Sequence, residues 1–459
     1  MNIKDTFIQY MEEAIGHENA LVAFSAFDES ASTAVRYNPF KPSQKMEGRS
    51  VVWSEHGLVL PQRPVFTLDP LFHAGAYYVQ DSSSMFVGYA FREMLHHVQM
   101  PQGRPLRVLD LCAAPGGKTT DLAASLREAL GDRFLLVANE VMKARVGILA
   151  DNVALWGDPN VVVTSDDPAA FASLPGFFDV IVTDVPCSGE GMFRKDEEAV
   201  QQWSEDNVSL CEARQRRILA DVWPSLREGG LLIYSTCTFN RRENDGNVEW
   251  VATELGADML TTDDALGGMP GVLKTERGYS LVPGHVDGEG QYCAALLKTG
   301  HDSLTDAPVR AKKAPRQAKA VSVPDGLQRL MNVPVVFRTK GDMITAVPEN
   351  IAADVARVED ALHVVAAGCA VGVVKGKDLV PDADLALTMM LAEDAYPSVD
   401  MDRQAALAFL HRDAQVFPDA PRGYLLLKHE GLALGFVKNL GNRCNSLHPQ
   451  SRRIRMDIK

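Results

Sequence analysis

Short apolar runs alternate with stretches of helical periodicity through the middle of the chain. LRVLDL at 106–111, FLLVA at 134–138, FDVIVT at 178–183 and GLLIYS at 230–235 read as strands buried on both faces, as in a parallel sheet. Between them the spacing of apolar positions predicts helices over 119–126, 140–156 and 200–223, the first behind an acceptable N-terminal cap. The alternation predicts an α/β domain over about 101–300, a parallel sheet with helices on both faces, closed at one edge by a strand at 291–297.

The flanks read differently. Residues 1–100 offer an amphipathic helix at 8–15 and a strand from Ala34 into a Pro-rich turn, an N-terminal α+β region. Residues 301–325 lack periodicity and are rich in Ala, Pro and Lys, the composition of a linker. Glycine-broken strand-like pieces at 343–348, 362–368 and 370–375 predict a small β-rich domain over 326–400. A last unit, 401–459, carries a helix at 404–411 and strands at 422–428 and 432–438.

Composition adds limits. With 46% hydrophobic and 23% charged residues the chain has the make-up of a soluble globular protein, and no apolar run of about 18 residues predicts a membrane span. The first residues, MNIKDTFIQYMEEAIG, do not read as a secretory signal, and seven irregularly spaced cysteines fit a reducing cytoplasm. A monomer without membrane or metal is expected, since no ligand-spaced Cys/His cluster occurs. Cys211 and Cys293 read as structural thiols. The net charge of −14 runs against a nucleic-acid partner, but basic residues gather at Arg310, Lys312, Lys313, Arg316 and Lys319, and at Lys438, Arg443, Arg452, Arg453 and Arg455.

The chemistry sits at the strand ends. After the first strand come Cys112, Ala113, Ala114, Pro115, Gly116, Gly117 and Lys118, a glycine turn that lets backbone approach a ligand and aims helix-start N–H groups at it. The turn lacks the G-x-G-x-x-G spacing that pyrophosphate needs, which suits S-adenosylmethionine, and Glu140 after the second strand is placed to accept from ribose hydroxyls. Asp184 with Cys187, and Cys237, follow later strands, so two thiols and a carboxylate converge beside the turn. Carbon 5 of a pyrimidine becomes nucleophilic once a thiolate adds at carbon 6 while an acid stabilises or protonates nitrogen 3. A second acid/base group then serves proton removal and elimination, and chemistry alone leaves open which cysteine attacks.

The blocks DLCAAPGGKT, ANEVMKARVG, DVPCSGEGMFRKD and YSTCTFNRREND resemble, in this order, the Nol1/Nop2/Sun family of RNA cytosine-C5 methyltransferases, and within it the bacterial enzymes that modify 16S ribosomal RNA. The resemblance implies a Rossmann-like, seven-stranded class I methyltransferase core whose strand at 291–297 is antiparallel. It implies S-adenosylmethionine as cofactor, held by residues 112–118, Glu140, Asp166 and Asp184, with Asp166 rather than Asp167 at the adenine. It assigns attack to Cys237 and product release to Cys187, with Asp184 also catalytic. The C-terminal unit resembles a PUA-type RNA-binding barrel, so the expected partner is ribosomal RNA or the small ribosomal subunit. Val185 stands where the family usually has alanine and is expected to narrow the base pocket.

Arg194 and Lys195 are expected to grip a phosphate beside the target nucleotide, against a helix-start ion pair with Asp196 and Glu197. Tyr77, Tyr78 and His73 read as structural, and Glu190 and Lys118 as braces or caps of the site. The rival readings are a transfer RNA cytosine methyltransferase, an amino-group methyltransferase acting on adenine, and a non-catalytic ribosome-assembly factor. Pro186-Cys187 stands where the adenine enzymes need an aromatic, and both cysteines argue against lost chemistry.

Overall fold

A computed structural model describes residues 4–260, 265–299, 323–376 and 378–458. The linker with the basic group Arg310 to Lys319 therefore lies largely outside the described residues. Two N-terminal helices, α1 (Asp5–Ile15) and α2 (His17–Ala26), precede a four-stranded antiparallel sheet of Thr33–Tyr37, Arg49–Val51, Ser54–Leu60 and Tyr77–Val79. The central sheet follows, with β1 (Leu106–Asp110), β2 (Phe134–Asn139), β3 (Val161–Thr164), β4 (Phe178–Asp184), β5 (Leu226–Thr236) and β6 (Gln291–Lys298). Its order runs β6-β5-β4-β1-β2-β3, parallel from β5 to β3, with β6 antiparallel to β5. The alternation of strand and helix that predicts a doubly covered sheet is met, and apolar cores fill both faces.

Three boundaries differ from the sequence expectation. The helix after the glycine turn spans Gly117–Leu130, and its cap is Gly116 at φ 113° rather than a side chain, so its first-turn amides are left without a side-chain acceptor. Strand β6 is internal, because Ala257–Leu260 and Tyr279–Leu281 pair along its far side. The segment expected inside a separate β-rich domain, Val364–Ala367 (β7), instead pairs antiparallel with β3 and extends the central sheet. With Leu273–Lys274 paired outside Tyr279–Leu281, the sheet gains three strands beyond β6 and one beyond β3, for ten in all.

Periodicity cannot reveal such a pairing, since the partner strands lie far apart in sequence. What secures it is burial: helix Ala352–Ala361 packs Val355 and Val358 into the same core as Leu109 and Ile181. Arg107, the second residue of β1, donates to both carboxylate oxygens of Asp354 at 3.0 and 2.6 Å. Asp354→Ala leaves that buried guanidinium without its counter-charge, and a loss of about 3 kcal/mol in unfolding free energy is expected in denaturant titration.

The C-terminal unit forms a sheet of Ser398–Asp400, Gly423–His429, Leu432–Asn439 and Cys444–Ser446, with helix Arg403–His411 against it. Arg452 is ion-paired with Asp151 and Asp384, so it ties this unit to the core. Arg443 and Arg455 are exposed.

Candidate active site

The carboxyl ends of β1, β2 and β3 are stitched together by one amide. Asn139 donates through Nδ2 to the carbonyls of Leu111 and Asp166, and its Oδ1 accepts from the Asp166 N–H and the Thr164 hydroxyl. The glycine turn is held from beneath by Arg36, fully buried, which donates to the Gly117 carbonyl at 3.1 Å and Thr120 Oγ1 at 2.6 Å. Nothing local marks either residue, for Asn139 looks like the end of an apolar run and Arg36 lies some eighty positions from its partners.

The expected cofactor residues are brought together here. Glu140 is buried, with one oxygen accepting from the Met142 N–H at 2.8 Å. Cys112 stays a thiol, pushed up to about 12 by burial, with the Thr183 hydroxyl donating toward its sulfur at 3.8 Å. Asp166 also accepts from the His363 N–H at 2.7 Å, so the stretch leading into β7 reaches its carboxylate, whereas Asp167 caps the next short helix.

These residues fit an aminoacyl nucleoside that carries positive charge. Asp110 supplies the test: its Oδ2 accepts from Thr119, while its Oδ1 is buried with no hydrogen-bond partner among the described residues. Burial pushes the Asp110 carboxyl up from 3.8 to about 7, with the Thr119 hydroxyl opposing only in part. The folded protein therefore holds an extra proton between those values, so stability falls as pH rises through that window. Asp110→Asn is expected to remove part of that slope in melts between pH 4 and 8; only part, because Glu243 shifts the same way.

Asp184 ends β4 within a ring of donors: Lys118 Nζ at 2.9 Å, Ser235 Oγ at 2.9 Å and Gln291 Nε2 at 3.0 Å. Burial opposes its charge, but the Lys118 ammonium and these hydrogen bonds hold its carboxyl below the usual range. Lys118 also donates to Ser84 at 2.9 Å, and it lies within electrostatic reach of Cys237. The Sγ atoms of Cys187 and Cys237, which follow the carboxyl ends of the neighbouring strands β4 and β5, are 3.2 Å apart. The hydrogen bond with Cys237, reinforced by burial, pushes the Cys187 thiol well above its ordinary value.

Gly191 lets these loops approach. Its N–H donates to the Cys237 carbonyl at 2.7 Å, and a Cβ there would sit 2.7 Å from that same oxygen. Gly191→Ala must displace the Cys237 loop, and a loss of roughly 10²-fold in kcat is expected, with cofactor affinity by calorimetry unchanged.

Three expectations fail on geometry. Arg194 is buried in a bidentate pair with Glu289 at 2.7 and 3.0 Å, and does not face a phosphate. Its partner is neither Asp196 nor Glu197, because the loop folds back onto the turn before β6. Lys195 remains partly exposed near Asp81. Val185 points into the core with Leu109 and Leu111 rather than into the base pocket. Tyr77 sits among Tyr37, Phe66 and Phe72 and donates to Asp69 at 2.7 Å, as befits a structural residue. Among the described residues no group of three or more His, Cys, Asp or Glu is placed to hold a metal ion, and no helix is long and apolar enough to cross a membrane.

Three family models match successive stretches of the chain. Residues 100–297 match "16S rRNA methyltransferase RsmB/F", residues 3–82 the "N-terminal domain of 16S rRNA methyltransferase RsmF", and residues 396–454 the "Methyltransferase RsmF PUA domain". The chain is 36% identical over 230 residues to ribosomal RNA small subunit methyltransferase F of Pectobacterium atrosepticum, covering 50% of this chain and 45% of that protein. It is 32% identical over 324 residues to the protein of the same name from Enterobacter sp. strain 638, covering 66% and 65%. The matched region thus spans about half the length of the first of these relatives. In fold it is similar to a methyltransferase homologue protein from Pyrococcus horikoshii, with a TM-score of 0.52 at 24% identity over 64% of this chain and 95% of that one.

Proposed function

Because the central domain of this chain belongs to the family described as 16S rRNA methyltransferase RsmB/F, we propose that the protein methylates carbon 5 of a cytidine in 16S ribosomal RNA through a covalent bond to Cys237. The observation that carries this reading is the 3.2 Å approach of the Cys187 and Cys237 sulfurs beside an ionised Asp184. Neither hydride transfer nor methylation of an amino group calls for two thiols at one base. S-adenosylmethionine is the family's methyl donor and supplies an electrophilic methyl group when bound. The turn from Cys112 to Lys118, with Glu140, Asp166 and Asp184, would hold it.

The chain's own groups account for the remaining steps. Cys237 adds as thiolate to carbon 6 of the base, which places electron density on the ring and makes carbon 5 nucleophilic. Asp184, held as a carboxylate by Lys118, is a strong acceptor for a proton carried on nitrogen 3, so it stabilises the protonated ring rather than delivering the proton. Once carbon 5 bears the methyl group, its proton leaves and the bond to Cys237 breaks. We assign that exchange to Cys187, whose sulfur lies 3.2 Å from that of Cys237: as a thiolate it takes the carbon-5 proton, the pair of that bond restores the ring double bond, and Cys237 leaves as thiolate.

The base must leave its stack to reach this pocket, at a cost of a few kcal/mol that binding elsewhere has to supply. Exposed Arg443 and Arg455 of the C-terminal unit are the cations to which this reading gives phosphate contacts, despite the acidic net charge. Bisulfite sequencing of ribosomal and transfer RNA from a strain lacking the gene tests the reading. Loss of 5-methylcytidine at one or more 16S positions is expected. An unchanged pattern in 16S RNA, or a lost methyladenosine by mass spectrometry, would overturn it.

A further inference from the structure

The two loops that carry the cysteines hold each other by crossed hydrogen bonds. Glu190, on the Cys187 loop, is fully buried, and its carboxylate accepts from the N–H groups of Phe239 at 2.6 Å and Asn240 at 3.1 Å, just beyond Cys237. Glu243, on the Cys237 side, accepts in return from the N–H of Ser188, next to Cys187, at 3.0 Å. Asn240 bridges the pair, donating through Nδ2 to Glu190 at 2.9 Å and to Glu243 at 2.8 Å. Outer donors complete the arrangement, with Trp203 Nε1 on Glu190 and Gln215 Nε2 on Glu243, at 2.8 and 2.7 Å.

Two neighbouring buried acids are a costly way to pin a loop, because each charge must be matched by donors once water is removed, and burial, with the charge of Glu190 added, pushes the Glu243 carboxyl up to about 7. Here every contact just described is an N–H donor aimed at an acceptor, and several of those donors are backbone amides on the opposite cysteine loop. A carboxylate that receives three or four such bonds fixes a loop more tightly than a single neutral hydrogen bond would. The crossing also separates the two jobs, for each acid grips the loop that it does not belong to.

We propose that Glu190 and Glu243 are positioning residues with distinct duties, Glu190 setting the approach of the attacking Cys237 and Glu243 that of the releasing Cys187. This rests on the assignment of attack to Cys237 and release to Cys187. The duties predict different kinetic phenotypes, which a general loss of stability would not produce. Slackening the Cys187 loop stalls release; slackening the Cys237 loop slows bond formation.

The test uses the full-length protein, S-adenosylmethionine and a 16S ribosomal RNA transcript. Glu243→Gln is expected to lower turnover roughly 10–10²-fold and to accumulate covalent RNA–protein adduct on a denaturing gel, with KM for RNA unchanged. Glu190→Gln, placed in a Cys187→Ala background, is expected to slow adduct formation by a similar factor. A Glu243 variant that builds up no more adduct than the parent, or a Glu190 variant that forms adduct at the parent's rate, overturns the proposal. Should either Gln variant fail to melt cooperatively, Glu190→Asp and Glu243→Asp, which keep the charge and shorten the reach, are read the same way.

A second readout does not depend on which cysteine attacks. Diamide, a diazene oxidant, takes two protons and two electrons from the paired thiols, becoming a hydrazine as an S–S bond forms between Cys187 and Cys237. Both Glu variants should form this disulfide several-fold more slowly than the parent, by peptide mass spectrometry, and equal rates again overturn the proposal. Failure of Cys187→Ala to trap any adduct would instead sink the cysteine assignment and leave the disulfide comparison standing.

Discussion

Cys237→Ala is expected to reduce methyl transfer by at least about 10⁴-fold, the scale on which removal of a nucleophile acts, while cofactor affinity stays within a small factor of the parent. Cys187→Ala should behave in the opposite manner, forming a bond to RNA that it cannot discharge, so that a shifted band persists on a denaturing gel. The two phenotypes follow from the roles proposed above, attack by Cys237 and release by Cys187, whose sulfurs lie 3.2 Å apart. An adduct trapped by Cys237→Ala and absent with Cys187→Ala would exchange the two roles.

The second large effect is expected at Asp184. Asp184→Asn keeps the shape of the side chain and an acceptor for Ser235, but it removes the charge that faces Lys118 and a protonated ring nitrogen. A fall of about 10²–10³-fold in kcat is expected, the cost of deleting one preorganised electrostatic group, with little change in KM for RNA. If Lys118 acts mainly through Asp184, the double variant Asp184→Asn/Lys118→Met should lose little more than Asp184→Asn alone. Additive losses in that cycle would instead give Lys118 a duty of its own, toward Cys237 or the bound cofactor. Because Lys118 and the flanking donors keep the Asp184 carboxyl low, no inflection in the rate near neutral pH is expected from this residue.

The parallel strands and the residues at their carboxyl ends were legible because both signals are local. A buried strand is a short apolar run, and the ligand-bearing turn follows within a few positions, as in the passage from Leu109 through Cys112 to Lys118. Cys187 and Cys237 could be placed near the turn in the same way. What holds those residues in place was not legible, because Arg36, Ser84, Asn139, Gln291 and Glu243 act across long sequence separations and sit in stretches whose periodicity says only strand, turn or helix. Arg194 shows the converse failure. A cation beside a catalytic loop invites a phosphate, yet its partner Glu289 stands almost a hundred positions away, and nothing local announces it.

The strand at Val364–Ala367 has a consequence for dissecting the molecule. It satisfies the outer edge of β3, Ser165 donates to the carbonyl of His363, and Asp166 receives the amide of that same histidine. A fragment ending after β6 would bare the flank of Val161–Thr164, a row of β-branched residues with unpaired backbone groups and a ready template for intermolecular pairing. The same cut would release one grip on Asp166, where the adenine is expected to bind. The catalytic core is therefore not a module that can be lifted out intact: its last strand is borrowed from the far side of the linker, and a minimal enzyme has to carry that strand with it.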